Sequence, residues 1–204
     1  MRISMKLLRL CSLFFLLAAG QAWAQAQDAN PAKEYATTHL AAAERVIYAM
    51  ALPERFILPT RQLLKNSLEK DPENAPLMSA TMEPYLEKQY TAKQLKRYFA
   101  SQFDEATCKQ IAAFWEGPVG KKLVKTQVQM LTAGEASQLV FTPKEKALMK
   151  RFDATKAGQA FLEAMPQIEE TFAEYMKNTQ MRMREQFMLN LDKKLRQEPP
   201  KPSA

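Results

Sequence analysis

The chain has little of the residue types on which catalysis and cross-linking most often rest. Its 204 residues include one histidine, two cysteines and five glycines. So few imidazoles and thiols exclude a histidine-rich metal site, a four-cysteine zinc site and a disulfide scaffold. No GxSxG, HExxH, P-loop or CxxC pattern occurs, so nucleophile elbows, zinc-protease helices, phosphate-cradling loops and dithiol centres have no carrier. Strictly alternating β-branched runs are also missing, which leaves no material for a sheet. A hydrophobic fraction of 47% and a charged fraction of 25% are those of a globular domain and exclude a disordered chain or a multispanning membrane protein.

Residues 1–24 fall into three parts: a basic stretch with Arg2, Lys6 and Arg9, an apolar run over 10–19, and the small-x-small end Ala22-Trp23-Ala24. This is the pattern of a secretory signal peptide cut before Gln25. The apolar run is about half the length that a membrane-spanning helix needs. Cys11 sits inside that run and not behind small residues at its end, unlike the cysteine of a lipoprotein signal. Export predicts the periplasm of a bacterium with two membranes. Cleavage would remove Cys11 and leave Cys108 alone, so no intramolecular disulfide can form even in an oxidising compartment. The formal charge would fall from +7 (29 basic minus 22 acidic) to +4 with the loss of Arg2, Lys6 and Arg9. That surplus permits contact with anionic envelope components. Without a basic stripe interleaved with aromatics it does not indicate nucleic acid.

Residues 25–196 read as one all-α domain, long enough to bury about 70% of its unfolded surface without metal or disulfide staples. The apolar spacing predicts a first helix over 31–52, with Tyr35, His39, Val46 and Met50 available for one face and Pro53 ending it. A second segment over 53–70 carries Phe56, Leu63, Leu64 and Leu68, with a break or kink expected at Pro59. The clearest loop is 71–76. The stretch that follows, to residue 89, contains Leu77, Met82, Tyr85 and Leu86 and should bend at Pro84. Thr91 and Gln94 predict a capping box and a fresh helix, with Leu95, Tyr98 and Phe99 facing inward. The tail 197–204, with Pro199, Pro200 and Pro202, is too polar and proline-rich to pack.

A gapless shift of 38 residues superposes Phe103 on Phe141, Phe114 on Phe152, Gly120 on Gly158 and Gln129 on Gln167. The apolar pairs Ile111/Met149, Leu123/Phe161, Val124/Leu162 and Met130/Ile168 follow at the same offset. Each of 103–130 and 141–168 reads as a helix-turn-helix hairpin, giving a helical bundle of antiparallel hairpins with a degenerate repeat in its C-terminal half. Asp104 would cap one hairpin, and Thr142, Pro143 and Glu145 the other. The second helices should begin at Pro118 and near Lys156. Each shared glycine then falls in a first turn, where glycine costs about 1 kcal/mol in helix propensity, so something must pack too closely for a Cβ.

The stretch YFASQFDEATCKQIAAFWEGPVGKKL over 98–123 carries an aromatic pair, a short polar step and Pro-x-Gly-x-Lys: Phe114, Trp115, Pro118, Gly120 and Lys122. It resembles the bacterial family catalogued as domain of unknown function twenty-fifty-nine, loosely over 45–135 and well over 99–123. The second hairpin keeps Phe152 and Gly158 but has Asp153 and Lys156 in place of Trp115 and Pro118. The resemblance implies an exported, helical protein and supplies no catalytic residues.

Chemistry finds few footholds. Cys108, four residues after the Asp104 cap, reads as a buried, inert thiol against Phe103, and His39 as a half-buried helix histidine. Glu169, Glu170 and Glu174 lack an accompanying Glu-x-x-His motif and read as a solvated face, not a metal cluster. Thioethers can ligate Cu(I), but at 100° per residue Met176 and Met183 point one way and Met181 and Met188 almost the opposite way. These four read as soft packing or an adaptable binding face. The amides and lysines at the start of the Pro118 helix read as an ordinary turn, since proline has no amide to offer an anion. The five signature residues read as structural.

These features predict no enzyme, cofactor or metal, and no integral membrane segment in the mature chain. They fit an envelope interaction or helper protein. The alternative is a carrier enclosing an apolar or lipid-like ligand between helices, for which a cavity of about 300 Å³ or more would speak. N-terminal sequencing of exported protein should return Gln25 as the first residue. Retention of residues 1–24 in a membrane fraction would overturn both the cut and the periplasmic expectation.

Overall fold

The computed structural model describes residues 34–133 and 139–197. The expected signal peptide, the expected cut before Gln25 and nearly all of the tail lie outside those residues. Among the described residues there are eight α-helices, one 3₁₀ turn and no strand. In chain order they are α1 (Thr37–Ala49), α2 (Leu52–Lys70), α3 (Ala75–Met82), the 3₁₀ turn Glu83–Leu86, α4 (Lys88–Gln102), α5 (Glu105–Trp115), α6 (Pro118–Ala133), α7 (Pro143–Asp153) and α8 (Lys156–Gln197). One cluster of buried side chains runs from Ala42 in α1 to Met183 in α8. Helix α1 packs on α4 and α5, α2 on α4 and α6, and α8 touches α3, α5 and α7.

Several boundaries differ from the sequence reading. Helix α1 stops at Ala49, and Tyr35 precedes it. The chain reverses at Ala51, the only non-glycine with positive φ (51°) among the described residues. Pro53 therefore sits in the first turn of α2, where its missing amide costs nothing. Pro59 does not break α2, which is helical throughout. One proline costs about 3 kcal/mol in a helix interior, and each large side chain buried contributes about 1.5–3 kcal/mol. Phe56, Ile57 and Leu64 are all buried on this helix, while Leu63 is exposed. Pro166 is likewise tolerated inside α8. Ala75 and Pro76 already belong to α3, which shortens the expected loop, and Pro84 falls in the 3₁₀ turn where a bend was expected.

Thr91 does not cap a helix. Helix α4 starts at Lys88, with Glu87 as its N-cap. Thr91 is wholly buried, and its hydroxyl lies 2.9 Å from the Tyr175 hydroxyl on α8. The sequence pattern S/T-x-x-E/Q was present, but a buried partner on another helix claimed the side chain. Leu95, Tyr98 and Phe99 face inward.

The two hairpins share several local features at the 38-residue offset. Helices α5 and α7 have bounds 38 residues apart at both ends, and so do the starts of α6 and α8. The Asp104 side chain accepts from the Thr107 amide, and Thr142 from the Glu145 amide. In the turns, the Gly117 amide donates to the Phe114 carbonyl and the Thr155 amide to the Phe152 carbonyl. A Cβ at Gly120 would lie 2.2 Å from both the Cα and the carbonyl oxygen of Trp115; at Gly158 it would lie 2.0 Å from the Phe152 carbonyl oxygen. The obstacle is backbone, which cannot swing aside. The hairpins then diverge, since α8 continues as a single 42-residue helix, about 63 Å long at 1.5 Å per residue.

Gly120→Ala and Gly158→Ala should each lower stability by about 1–3 kcal/mol in chemical denaturation, whereas Lys121→Ala on the exposed side of the same turn should stay within about 0.5 kcal/mol. Glycine variants as stable as the parent would mean that the turns have slack.

Candidate functional site

The family signature sits in and around the α5–α6 turn. Trp115 is buried at 6% exposure, edge-on to Phe114 and Phe161 with ring centroids 6.0 Å away in each case. Phe114 stacks on Phe152 at 4.0 Å with the planes 9° from parallel, so equivalent residues of the two hairpins meet face to face. Pro118 is exposed at the helix start and Gly120 buried behind it. The Lys122 ammonium reaches both carboxylate oxygens of Glu145, at 3.0 and 3.1 Å, and lies 5.4 Å from the centre of the Phe141 ring. The Thr142 amide, followed by Lys122, holds the Glu145 carboxyl below its usual range. Lys122 is therefore engaged in joining α6 to α7.

Both reactive side chains singled out by the sequence converge on one carbonyl. His39 Nε2 lies 2.7 Å from the Phe103 oxygen, and the Cys108 thiol donates to the same oxygen at 3.9 Å. Cys108 is fully buried. Burial, with Asp104 and Glu105 adding to it, pushes the thiol from its ordinary value near 9 to about 12. The thiolate that a nucleophile needs is thus suppressed.

Of the carboxylates Glu169, Glu170 and Glu174, Glu170 is exposed as the sequence pattern predicts, whereas the other two are not solvated. Glu174 is 8% exposed. Glu169 is largely covered and accepts from Arg55 Nη2 at 3.0 Å, and the Arg55 guanidinium lies 4.8 Å from the centre of the Phe172 ring. Burial raises the Glu169 carboxyl against the opposing pull of Arg55. The cation of Glu169 stands on α2, more than a hundred residues away in sequence, so the local pattern does not reveal that this acid is paired. No group of three metal-ligating side chains occurs among the described residues.

The methionines divide as the helical angles predict. Met183 is buried and Met176 half-buried, whereas Met181 and Met188 are exposed at 50% and 55%. With Leu195, the outward pair forms a stripe of one apolar residue every seven on the solvent side of α8.

The opposite side of the same stretch of α8 carries a feature that the sequence reading missed. An open cleft of about 510 Å³ lies between the α3 end, the 3₁₀ turn and the distal half of α8. Its walls include Thr81, Tyr85, Tyr90, Arg182, Gln186 and Asn190. Tyr85 and Tyr90 meet edge to face at 5.1 Å and make an aromatic corner. Along the floor, Gln186 Nε2 donates to Asn190 Oδ1 at 3.1 Å, Asn190 Nδ2 donates to Thr81 Oγ1 at 3.0 Å, and the Thr81 hydroxyl donates to the Leu77 carbonyl at 2.7 Å. The polarity of this relay is fixed by its end, because a carbonyl can only accept. Arg182 forms no ion pair among the described residues. The wall contains no Asp, Glu, His or Cys. From sequence, only Tyr85 stood out as apolar, and nothing placed it beside residues a hundred positions away.

Residues 93–139 match the model of a family described as an uncharacterized protein conserved in bacteria (DUF2059). The matched stretch is similar to DUF2059. It covers most of α4 and all of α5 and α6, and starts well after residue 45, where the looser sequence resemblance began. No curated protein and no solved structure matches the chain. The matched stretch holds the signature residues and contributes none of the cleft walls. No described helix is long and apolar enough to cross a membrane.

Folded protein at pH 8 should leave Cys108 unlabelled by a thiol reagent, and denaturant should release it for reaction. A thiol pKa raised on folding adds stability below about 9 that is lost as pH rises toward 12, because the unfolded thiol ionises first. Tyr175, pushed up to about 12 by burial, acts in the same direction. Rapid labelling of folded protein would contradict this.

Proposed function

We propose that the protein is a non-catalytic recognition protein of the bacterial envelope, exported through a cleaved leader and acting by holding a partner segment in the α3–α8 cleft. One observation carries this reading. The cleft gathers aromatic faces, a guanidinium without a counter-ion among the described residues and a directional amide relay, yet its described wall offers no carboxylate, imidazole or thiol. Its volume satisfies the size expected of a carrier. Its lining favours recognition over transport of a lipid-like chain, because an apolar ligand would desolvate Arg182, Gln186 and Asn190 without replacing their hydrogen bonds.

The signature residues serve the fold on this reading: Trp115 and Phe114 fill the join between hairpins, and Gly120 admits the backbone of the preceding helix. The shared 38-residue offset of the helix bounds supports reading the hairpins as two copies of one unit. The Phe114–Phe152 stack pairs equivalent positions. Phe103 lies against Phe161, and its counterpart Phe141 lies beneath Lys122, next to the counterpart of Phe161.

Tyr85→Ala and Tyr90→Ala should abolish capture of whatever travels with the protein in native mass spectrometry of envelope extracts, while thermal melts stay near the parent. Trp115→Ala should instead cost about 3–5 kcal/mol of stability. A cleft variant that keeps its bound species, or a Trp115→Ala variant that melts like the parent but loses it, would overturn the assignment of roles.

A further inference from the structure

We infer that the cleft takes the free carboxylate end of a peptide, with Arg182 holding the carboxylate and Gln186 the adjoining peptide amide. This rests on the recognition reading above and assigns its ligand class. The relay decides which groups remain for a ligand. Thr81 has spent its proton on the Leu77 carbonyl, so its oxygen must accept from Asn190 Nδ2. The Asn190 oxygen is then taken by Gln186 Nε2, and among the described residues no donor occupies the amide oxygen of Gln186, which leaves it as an acceptor. The cleft thus presents an acceptor at Gln186 and, four residues earlier on the same helix face, the donors of Arg182.

The matching ligand carries an N–H donor close to an anion with two parallel oxygens, and a chain terminus has both: its last peptide amide and its carboxylate. Arg61 already pairs with Glu83 on the neighbouring turn, so that acid does not neutralise Arg182. The Tyr85–Tyr90 corner supplies apolar faces for the terminal side chain at little entropic cost. A cleft of about 510 Å³ is within the usual range of ligand sites and can seat a few residues.

The test is a fluorescence anisotropy titration of the full exported chain with a labelled tetrapeptide ending in phenylalanine, its C-terminal amide, and a uronic-acid disaccharide as competitor. Arg182→Gln, Arg182→Lys and Gln186→Glu accompany the parent, each checked for an unchanged melting temperature. Amidation should weaken binding about tenfold or more. Arg182→Gln should weaken the free-acid peptide by a similar factor and leave the amidated one unchanged, with Arg182→Lys between. Gln186→Glu should weaken the acid peptide more than the amide. Equal affinity for acid and amide, or indifference to Arg182→Gln, would overturn the assignment. Displacement by the disaccharide with no peptide binding would overturn it in favour of an acidic glycan. Failure of every probe while Tyr85→Ala still strips the native bound species would sink the peptide assignment and leave the recognition reading standing.

Discussion

The rest of the C-terminal half depends on one steric constraint: the last turn of α5 and of α7 lies so near the first turn of the next helix that no Cβ fits between them. With glycine at both positions, each helix can fold straight back against the backbone of its predecessor. That close return brings Phe114 and Phe152 into a stack and sets Lys122 beside Glu145. It also fixes the line along which α8 leaves the second hairpin. Tyr175 then meets Thr91 and Phe56, and Asn190 meets Thr81. A shift of either turn would be magnified along the length of α8 before it reached the cleft.

The interior of the bundle fits this picture of a few polar anchors within an apolar mass. Arg55 and Glu169 tie α2 to α8 with the guanidinium laid near an aromatic face, a geometry that suits arginine far better than lysine. Phe103 ends α4, and its carbonyl receives both His39 and Cys108. The two side chains most able to do chemistry are thus spent on closing a helix junction. A pairing of this kind satisfies a carbonyl that the end of α4 would otherwise leave short of partners.

Local signals were readable in the sequence because they act over three or four residues. The Asp104 and Thr142 caps, the helix start at Pro118 and the meaning of Gly120 and Gly158 needed nothing beyond their neighbours. The failures share the opposite property. Thr91 has a capping pattern, but Tyr175, 84 residues away, takes its hydroxyl. Glu169 and Glu174 fall on an acidic stretch, and the sequence does not show that Glu169 meets Arg55 of α2 or that Glu174 is buried. Pro59 is tolerated because the packing of Phe56 and its neighbours outweighs a lost hydrogen bond. The cleft was invisible for the same reason: its walls come from 80–90 and 182–190, and neither segment has a composition that marks it.

The one-way relay beneath the cleft also bears on how the molecule would age. Asparagine hydrolyses slowly to aspartate, and at Asn190 that change would exchange the donor facing Thr81 for an oxygen. Two acceptors would then confront each other unless Thr81 released the Leu77 carbonyl and turned its proton around. A single spontaneous reaction, adding about one unit of negative charge to the cleft at neutral pH, would rewrite the hydrogen bonds along its floor. Old and freshly made molecules would share a fold and differ in what they hold.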